Sequence, residues 1–493
     1  MNKEIAIIPS QEQKDIHAEI VSGKGHLNIT ATAGSGKSTT LLMGLNLLPK
    51  FRKSIFLSFS AEIIKELKEK VPPHVRAQTL HSLGSRYIYQ HFGAKPLNKS
   101  KYFQKAMFAL KKTDEDKKNK KEFLKKCFRV QDIAQYIRIT FTELDFDKVE
   151  LVCADFGIFT CDATVRCAMK LVEEDLNNLT EIDFTDMIYL PVKLPHIINE
   201  KFDFVFLDEA QDSNQTQIKF VEYLLKPDIG RLISCGDPKQ SIYSFIGADS
   251  NSFEYLQTRP NTTTLPLSVS YRCPKAVVEE ASKLFPQEEF MRAHHNAVEG
   301  VVRNGAISEI SENDMVVCRT NKPLFELYFI LIENEVKAHF IGKDIEKGLI
   351  ELAESCLAPI KSRFEQNLEN KLIQLEKELK SKGYGKVQNH PKWSMLSEKI
   401  ELLMLICDKV QMIKDLIPKI QQIFAEDVGG VRLMTGHKAK GLECKRVFCL
   451  NVHQGKVLCP SPRASTKREK DAELNIMFVM ITRAKEELVY LEL

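Results

Sequence analysis

The sequence predicts an α/β protein with two parallel-sheet domains, each interrupted by a mainly helical insertion. Short apolar runs that end in polar clusters recur along the chain, among them FVFLDE, RLISCGD, MVVCRT and RVFCLNV. Such runs are typical of strands that are buried on both faces of a parallel sheet and present polar residues at their carboxyl ends. Two long stretches lack these runs and show a helical spacing of apolar residues instead.

These patterns divide the 493 residues into four parts. The predicted parts are a first sheet domain (1–88 and 182–262), its helical insertion (89–181), a second sheet domain (263–345 and 428–493) and a smaller helical insertion (346–427). The second insertion contains one apolar stripe at helical spacing, formed by Ile360, Phe364, Leu368, Leu372, Leu375 and Leu379. Gly383 and Gly385 interrupt that stripe before a second helical run, which predicts a helical hairpin.

The composition narrows the class of protein. Apolar residues make up 43% of the chain and charged residues 28%, which is ordinary for a globular protein with sizeable cores. The net charge is only +4, so any binding of nucleic acid must rest on a local surface rather than on the total charge. The opening MNKEIAIIPS lacks a long apolar region, and no apolar run approaches the roughly 20 residues of a membrane span. We therefore expect an intracellular protein without a membrane partner.

The 12 cysteines do not predict a metal centre. No two of them form a C-x-x-C pair, and the nearest grouping is Cys127, Cys153, Cys161 and Cys167. A zinc or iron–sulfur site would need four ligands at closer spacing. Scattered small apolar side chains in a reducing compartment are the simpler interpretation.

The segment ATAGSGKS, residues 31–38, predicts a phosphate-binding loop. It follows an apolar strand and precedes a helix, and its glycines allow successive backbone N–H groups to turn inward around phosphates. Lys37 would reach the terminal phosphates and Ser38 would ligate Mg²⁺. The predicted nucleotide-binding residues of this loop are Ala33, Gly34, Ser35, Gly36, Lys37, Ser38 and Thr39.

A second motif, FVFLDEAQD, supplies a pair of acids after a buried strand. Asp208 would bind the magnesium ion together with Ser38, and Glu209 would activate the attacking water. Acidic residues also cap helices after strands, which is the alternative for this pair taken alone. Together with the phosphate-binding loop, the pair predicts hydrolysis of ATP with Mg²⁺ as cofactor.

With these two motifs in place, the chain resembles the superfamily 1 helicases of the UvrD/Rep type. The motifs that carry the resemblance occur in the family's order: PSQEQ, ATAGSGKS, SIFLSFSAEIIKEL, QTLHSLG, DEAQD, GDPKQSIYSFIGA, SYRCP, MTGHKAKGLE and AELNIMFVMITRAK. Within the last motif, the residues ELN and TRAK resemble those of the branch that includes the eukaryotic F-box DNA helicase and its phage and bacterial relatives. The resemblance covers the whole chain and implies two RecA-like P-loop domains, each with a helical insertion.

The resemblance also implies roles around the nucleotide. Gln13 would contact the adenine edge, Tyr271 would stack on adenine, and Glu443 would lie near the ribose. Gln240 would sense the γ-phosphate. The implied catalytic residues are Lys37, Asp208, Glu209, Gln240, Arg272 and Arg483, with the two arginines as arginine fingers, and the implied nucleotide contacts outside the loop are Gln13, Tyr271, Lys440, Gly441 and Glu443.

The implied partner is single-stranded DNA, including junctions of single and double strands. The residues implied to contact it are Phe59, Thr79, His81, Tyr243, Phe245, Thr435 and His437. Stacking aromatics and backbone contacts suit a grip that does not distinguish sequences. Core packing is the alternative for Phe59 and Phe245, because aromatic side chains are mostly buried.

The chain departs from the family pattern at several positions. Ile246 stands where an arginine is usual, and Thr39 replaces an arginine that faces adenine in close UvrD relatives. Further departures are Ser60, Ala61, Phe478 and Met480. None of them is an implied catalytic residue, so we expect ATP hydrolysis to be retained with an altered grip or nucleotide affinity.

Three functions remain open at this point. The first is an ATP-dependent DNA helicase that moves 3′ to 5′ on single-stranded DNA in replication, repair or recombination, with the polarity implied by the resemblance alone. The second is a translocase that displaces proteins, or a motor subunit with a protein partner in a recombination or anti-phage defence complex, which the small second insertion favours. The third, a nucleic-acid-binding scaffold without catalysis, is disfavoured by the complete set of catalytic residues.

Overall fold

The computed structural model of the chain divides into two compact units, each built around a six-stranded sheet. The units are Met1–Thr32 with Gly36–Ser268, and Ala33–Ser35 with Val269–Leu493. The structure describes residues 8–59, 61–110, 120–155, 158, 160–242, 250–381, 387–389, 391–425, 429–452 and 467–493. The strand pairings described in both sheets are parallel, which confirms the predicted α/β class.

The sheet of the first unit places helices on both faces. Its strands are β1 (His26–Ala31), β2 (Ser54–Ser58), β3 (Arg76–Thr79), β4 (Phe204–Leu207), β5 (Arg231–Gly236) and β6 (Thr262–Leu267). They lie in the order β3-β2-β4-β5-β1-β6. Every residue of β2, β4 and β5 is buried, as the continuous apolar runs predict for interior strands of a doubly covered sheet.

Strand β6 extends the first sheet beyond the predicted end of the first domain at residue 262. It pairs with β1 from His26 opposite Thr262 to Ala31 opposite Leu267. The first unit therefore continues to Ser268, later than the sequence pattern indicated. The segment TTTLPL lacks a continuous apolar run, and Pro266 has no N–H to donate, which is tolerated because β6 is an edge strand.

The helices of the first unit are α1 (Gln11–Ser22), α2 (Lys37–Asn46), α3 (Ala61–Leu67), α4 (Leu80–Phe92), α5 (Lys101–Ala109), α6 (Lys120–Ile139), α7 (Phe146–Asp155), α8 (Asp162–Asn177), α9 (Asp186–Lys193), α10 (Gln215–Tyr223) and α11 (Ser250–Thr258). In the described part of 89–181, helices α4 to α8 are separated by loops, and an isolated bridge pairs Leu97 with Ile182. Helix α4 enters this region from the first domain. Alternate residues of the strands pack into different cores: Leu57 packs with helices α4 to α9, and Phe56 packs with α1 and α2.

Two buried cations join the insertion helices to α9. The ammonium of Lys101 on α5 lies 2.8 Å from Asp175 on α8 and 2.5 Å from Asp186 on α9. The guanidinium of Arg138 on α6 lies 2.7 Å from both Asp183 and Asp186. Lys101 is 0% and Arg138 1% exposed, so neither cation is stabilised by bulk water. The ion pairs must therefore compensate the loss of hydration. Removing one carboxylate would leave a buried cation without full compensation, which is strongly destabilising.

The second unit repeats the parallel arrangement. Its strands are β7 (Val269–Ser270), β8 (Arg292–Ala293), β9 (Val301–Asn304), β10 (Met315–Cys318), β11 (Ala338–Phe340), β12 (Val431–Thr435), β13 (Cys444–Leu450) and β14 (Ala484–Leu491). The main sheet has the order β11-β12-β10-β13-β14-β9, and β7 pairs separately with β8. Its helices are α12 (Lys275–Ser282), α13 (Asn321–Glu333), α14 (Lys343–Glu354), α15 (Lys361–Ser381), α16 (Pro391–Asp408), α17 (Leu416–Ile423), α18 (Gly436–Ala439) and α19 (Lys467–Ile481).

The second insertion consists of helices α14 to α17, between β11 and β12. Phe364 and Leu368 of the predicted stripe are fully buried, whereas Ile360 is exposed and precedes α15. Gly383 and Gly385 lie outside the described residues. Phe364 and Leu368 belong to the same hydrophobic core as the sheet residues Phe340 and Leu433. The insertion is thus packed onto the sheet domain rather than separated from it by a core of its own.

Within the described residues, no helix is long and apolar enough to cross a membrane. The same part of the chain contains no group of three or more His, Cys, Asp or Glu side chains arranged to hold a metal ion. Of the four grouped cysteines, Cys127 and Cys153 are buried, Cys167 is half-buried and Cys161 is exposed. All four are free thiols.

Replacing Asp186 should destabilise the first unit strongly. We expect Asp186→Ala to lower the free energy of unfolding by about 3–5 kcal/mol, because both buried cations lose a partner. Urea denaturation followed by circular dichroism measures the change. Glu174→Ala is the matched control, since its ion pair with Lys170 is exposed and should contribute less than about 1 kcal/mol. Equal effects of the two substitutions would contradict the importance of the buried ion pairs.

Candidate functional site

The phosphate-binding loop has the predicted strand–turn–helix form. Strand β1 ends at Ala31 and helix α2 begins at Lys37. Gly34 and Gly36 have φ values of 70° and 78°, which place both in the left-handed region that glycine adopts without strain. Gly36 is the residue before α2, so the loop turns directly into the amino end of a helix. A glycine-containing turn that leads into a helix is the arrangement in which backbone N–H groups bind phosphate anions.

The acidic pair lies beside the first turn of α2. Ser38 Oγ donates a 2.7 Å hydrogen bond to Asp208 Oδ2, and Lys37 Nζ lies 3.3 Å from Glu209 Oε2. Asp208 follows β4, which is separated from β1 only by β5. Because the strands are parallel, their carboxyl ends meet at one edge of the sheet. The structure thus brings together the four residues that were selected from the two motifs.

Two further residues extend this cluster, and the sequence analysis did not select them. Gln211 Nε2 donates a 2.5 Å hydrogen bond to Glu209 Oε2, and its Oε1 accepts a 2.9 Å bond from the backbone N–H of Asp237. Asp237 Oδ2 in turn accepts a 2.5 Å bond from Gln240 Nε2. A chain of hydrogen bonds, one of them through the backbone N–H of Asp237, therefore connects Glu209 to Gln240, the predicted γ-phosphate sensor. Both residues lie within motifs that the sequence analysis quoted: Gln211 is the Gln of DEAQD, and Asp237 is the Asp of GDPKQ.

Burial and neighbouring charges set the protonation of the cluster. Burial, followed by the nearby Glu209, raises the pKa of Asp208 to about 6. Burial would lower the pKa of Lys37, but Glu209, Asp237 and Asp208 together raise it above its ordinary value. Lys37 therefore stays protonated at neutral pH, as a phosphate ligand must.

The residues at this edge fit a magnesium ion. The Ser38 hydroxyl and the Asp208 carboxylate are oxygen ligands of the kind Mg²⁺ prefers, and they already lie within 2.7 Å of each other. In such sites Mg²⁺ usually keeps one or two protein ligands and completes its shell with waters and phosphate oxygens. A bound ion there would neutralise negative charge on a transferring phosphoryl group.

Gln13 lies close to α2 through a hydrogen bond in the protein interior. It is 3% exposed, and its Nε2 donates a 2.9 Å bond to Thr40 Oγ1. Its Oε1 accepts a 2.9 Å bond from the backbone N–H of Ser10, which completes a capping box at the start of α1. Thr39, the neighbour of Thr40, is half-buried.

The residues of the first unit that were predicted to contact DNA differ in burial and in hydrogen bonding. Phe59 is half-buried and packs against the core that contains the insertion helices. Thr79 caps helix α4 by accepting a 3.1 Å bond from Ser82 N, and burial lowers the pKa of His81. Tyr243 and Phe245, and with them the unusual Ile246, lie outside the described residues.

In the second unit, Arg272 and Glu443 form an ion pair of 2.7 Å. Glu443 also lies 2.8 Å from Lys485. Burial would raise the pKa of the Glu443 carboxyl, but Lys485 and Arg272 together leave it below its ordinary value. The ring of Tyr271 is 45% exposed, with its centroid 4.8 Å from that of His294. An exposed aromatic face of this kind is available for stacking. Lys440 is half-buried and Gly441 is exposed, with a positive φ of 86°.

Arg483 and Thr435 are buried more deeply than Tyr271. Arg483 is 1% exposed and donates hydrogen bonds to the carbonyl oxygens of Val479 and Leu442, at 2.8 and 3.1 Å. Thr435 is buried as well. Burial, together with nearby positive charge, lowers the pKa of His437 to about 4, so this histidine is neutral at physiological pH.

Fold and site together define the class of protein. A phosphate-binding loop that follows the first strand of a parallel sheet, with a buried acidic pair at the same edge, is characteristic of RecA-like P-loop proteins. Residues 10–261, more than half of the chain, match the family described as the UvrD/REP helicase N-terminal domain. The chain therefore belongs to the UvrD/REP helicase family.

Individual relatives extend the similarity along the chain. F-box DNA helicase protein 1 of Schizosaccharomyces pombe is 21% identical over 98% of this chain and 57% of its own length. F-box DNA helicase 1 of Gallus gallus is 23% identical over 97% of this chain and 48% of its own length. ATP-dependent DNA helicase PcrA of Staphylococcus aureus is 27% identical over 36% of this chain and 22% of its own. The chain thus spans about half the length of the F-box relatives.

Neutralising Asp208 should stabilise the protein free of Mg²⁺. The pKa of Asp208 is raised on folding, so its favourable contribution is complete below about pH 4 and is lost as the pH rises through about 6. Asp208→Asn removes the charge and keeps the shape. We expect its free energy of unfolding at pH 8 to exceed that of the parent by about 1–3 kcal/mol.

Denaturant titrations in Mg²⁺-free buffer at pH 5 and pH 8 measure this difference, which should shrink at the lower pH. Asp228→Asn provides the matched control because Asp228 is exposed on the same unit and should show no such dependence. A destabilised Asp208→Asn protein at pH 8 would mean that the hydrogen bond with Ser38 outweighs the burial of charge.

Proposed function

We propose that the chain is an ATP-dependent DNA helicase that translocates 3′ to 5′ along single-stranded DNA. The observation that supports it best is the joint placement of Lys37, Ser38, Asp208 and Glu209 at one edge of the first sheet. Membership of the UvrD/REP helicase family adds support for DNA as the substrate. Polarity and a role in replication, repair or recombination come from the resemblance alone.

The proposed chemistry assigns a separate task to each residue of the site. Lys37 and the loop hold the phosphates of ATP, while Ser38 and Asp208 hold Mg²⁺. Glu209 orients the attacking water and accepts its proton. Gln211 holds the Glu209 carboxylate by their 2.5 Å hydrogen bond, and Gln240 reports the state of the phosphates through Asp237. Gln211 and Asp237 are positioning residues in this scheme.

The second unit would supply the remaining nucleotide contacts. We propose that Arg272 and Arg483 stabilise charge on the transferring phosphoryl group and that Tyr271 stacks on the base. The ion pair between Arg272 and Glu443 must open or rearrange for the arginine to reach a phosphate. The remaining proposed nucleotide contacts are Lys440, Gly441 and Glu443.

The proposed grip on DNA combines stacking with backbone contacts. It involves Phe59, Thr79, His81, Tyr243, Phe245, Thr435 and His437. Such a grip has little sequence preference, because every base offers a face for stacking. Neutral histidines suit contacts within this grip as hydrogen-bonding groups rather than as phosphate-pairing cations, and burial lowers the pKa of both His81 and His437.

One observation favours the alternative of a protein-displacing translocase or motor subunit. The second insertion shares its hydrophobic core with the sheet, through Phe364, Leu368 and Leu403. Rotating it away from the sheet would expose these apolar side chains to water, which is unfavourable. An insertion fixed in this way is poorly suited to swing onto a duplex. We therefore propose strand translocation with weak unwinding as the second candidate, with a partner protein supplying duplex engagement.

The first test is ATP hydrolysis with and without single-stranded DNA, at low and moderate salt. We expect stimulation by DNA that weakens as salt rises, since phosphate contacts release counterions. Lys37→Ala should reduce hydrolysis at least about a hundredfold while retaining DNA binding. Lys24→Ala is the matched control, an exposed lysine in the loop before β1. A folded parent protein without any hydrolysis would refute the proposal and favour a scaffold.

A second test separates the two candidate functions. If the chain is a 3′-to-5′ helicase, it should unwind a duplex with a 3′ single-stranded tail and leave a 5′-tailed duplex intact. The alternative predicts instead that the isolated chain removes streptavidin from a biotinylated single strand at least as readily as it unwinds the same length of duplex. Both assays use the same ATP concentration and the Lys37→Ala protein as the control. Efficient unwinding by the isolated chain would exclude the second candidate.

A further inference from the structure

The first two helices of the chain are joined by a buried hydrogen-bond relay. Gln13 Nε2 on α1 donates to Thr40 Oγ1 on α2 at 2.9 Å, and Thr40 Oγ1 donates to the carbonyl oxygen of Gly36 at 2.9 Å. His17 Nε2 lies 3.0 Å from the Thr40 carbonyl oxygen, which can only accept. Gln13, His17 and Thr40 are 3%, 7% and 0% exposed. The relay therefore runs from α1 to the phosphate-binding loop without solvent.

The relay fixes which way the Gln13 carboxamide points. A hydroxyl has one proton, and that of Thr40 is used by Gly36 O, so Thr40 Oγ1 can only accept from Gln13. The amide nitrogen of Gln13 must then face Thr40. Independently, the Ser10 N–H donates to the amide oxygen at 2.9 Å. Both neighbours demand the same orientation, and turning the amide over would break both bonds.

An amide fixed in this way has one N–H proton and one oxygen lone pair that neither Thr40 nor Ser10 uses, and the proposed adenine contact would engage both. Adenine presents an amino donor beside the N7 acceptor, whereas guanine presents two acceptors at the same edge. A carboxamide that offers a donor and an acceptor in a fixed order matches adenine and mismatches guanine. An amide free to turn would discriminate less, because it could adapt its order to the base.

We propose that Thr40 is a positioning residue for base selection. Its hydroxyl holds Gln13 in the order that selects adenine and ties this choice to Gly36, the loop residue that immediately precedes α2. His17 keeps the Thr40 backbone in place. This inference rests on the proposed binding of ATP and deepens it, by assigning nucleotide selectivity to a residue within the relay.

The two helices would stay docked without the relay. Ile16 and Ile20 of α1 and Leu41 and Leu45 of α2 lie in one hydrophobic core and are at most 1% exposed. At Gly44 the helices approach so closely that an added Cβ would lie 2.4 Å from Ile20 Cδ1. Valine has nearly the shape of threonine, so Thr40→Val removes the hydroxyl with little change in this packing. Its effect on selectivity can therefore be measured on a folded protein.

The experiment measures equilibrium binding of ADP and GDP, by competition with a fluorescent adenine nucleotide. We expect the parent to prefer ADP and Thr40→Val to lose about five- to tenfold of that preference, the effect of one neutral hydrogen bond. Thr40→Ser keeps the hydroxyl and should restore the preference. Adding Gln13→Ala to Thr40→Val should cause little further loss, because both substitutions remove the same discrimination.

Thr258→Val is the matched control. Thr258 makes the same type of bond as Thr40, from its hydroxyl to the carbonyl oxygen four residues earlier at 2.9 Å, but it is exposed on α11. It should leave the ADP preference unchanged. An unchanged ADP-to-GDP ratio in folded Thr40→Val would overturn the proposal, as would a parent without base preference. A parent that prefers ADP but shows no DNA-stimulated hydrolysis would instead contradict the proposed helicase function and leave the role of Thr40 standing.

Discussion

The 2.7 Å hydrogen bond between Ser38 Oγ and Asp208 Oδ2 joins two segments that lie far apart in the sequence. They meet because β1 and β4 run parallel on either side of β5, which brings their carboxyl ends to one edge of the sheet. The turn after β1 leads to Lys37 and Ser38, and the end of β4 leads to Asp208. Gln13 on α1 and Gln240 after β5 extend the site from elements that pack against this edge. The candidate chemistry of the first unit depends on the parallel order of these three strands.

The same edge concentrates charge where little water can reach it. Burial raises the pKa of Asp208 and of Asp237, while the surrounding carboxylates raise the pKa of Lys37. Groups with perturbed pKa values of this kind cluster at functional sites, where buried charges that are needed for activity lower the stability of the fold. The ion pairs of the insertion follow a different pattern: Lys101 faces carboxylates on two helices, α8 and α9, and Arg138 faces one carboxylate on α9 and one in the segment before it. We propose that the first cluster takes up a ligand, whereas the second joins helices.

Much of the architecture could be predicted because parallel strands leave a strong local pattern. β1, β4 and β10 occur where apolar runs precede polar clusters, and the glycines of the loop have the backbone conformation that their spacing predicts. Edge strands left weaker signals. β6 contains Pro266 and three threonines, and it needs only one neighbour to form. Its place in the sheet, and with it the limit of the first unit, could not be inferred from a local pattern.

The sequence by itself determined the α/β class, the phosphate-binding loop and the acidic pair, because each depends on residue types at fixed local spacing. Only the tertiary structure decided that Gln211 links Glu209 to Asp237, and that the second insertion shares a core with its sheet. It also decided the orientation of the Gln13 amide. The physical reason is common to all three: a side-chain hydrogen bond or an apolar contact is set by neighbours from other elements, whose distance and direction exist only after the chain has folded.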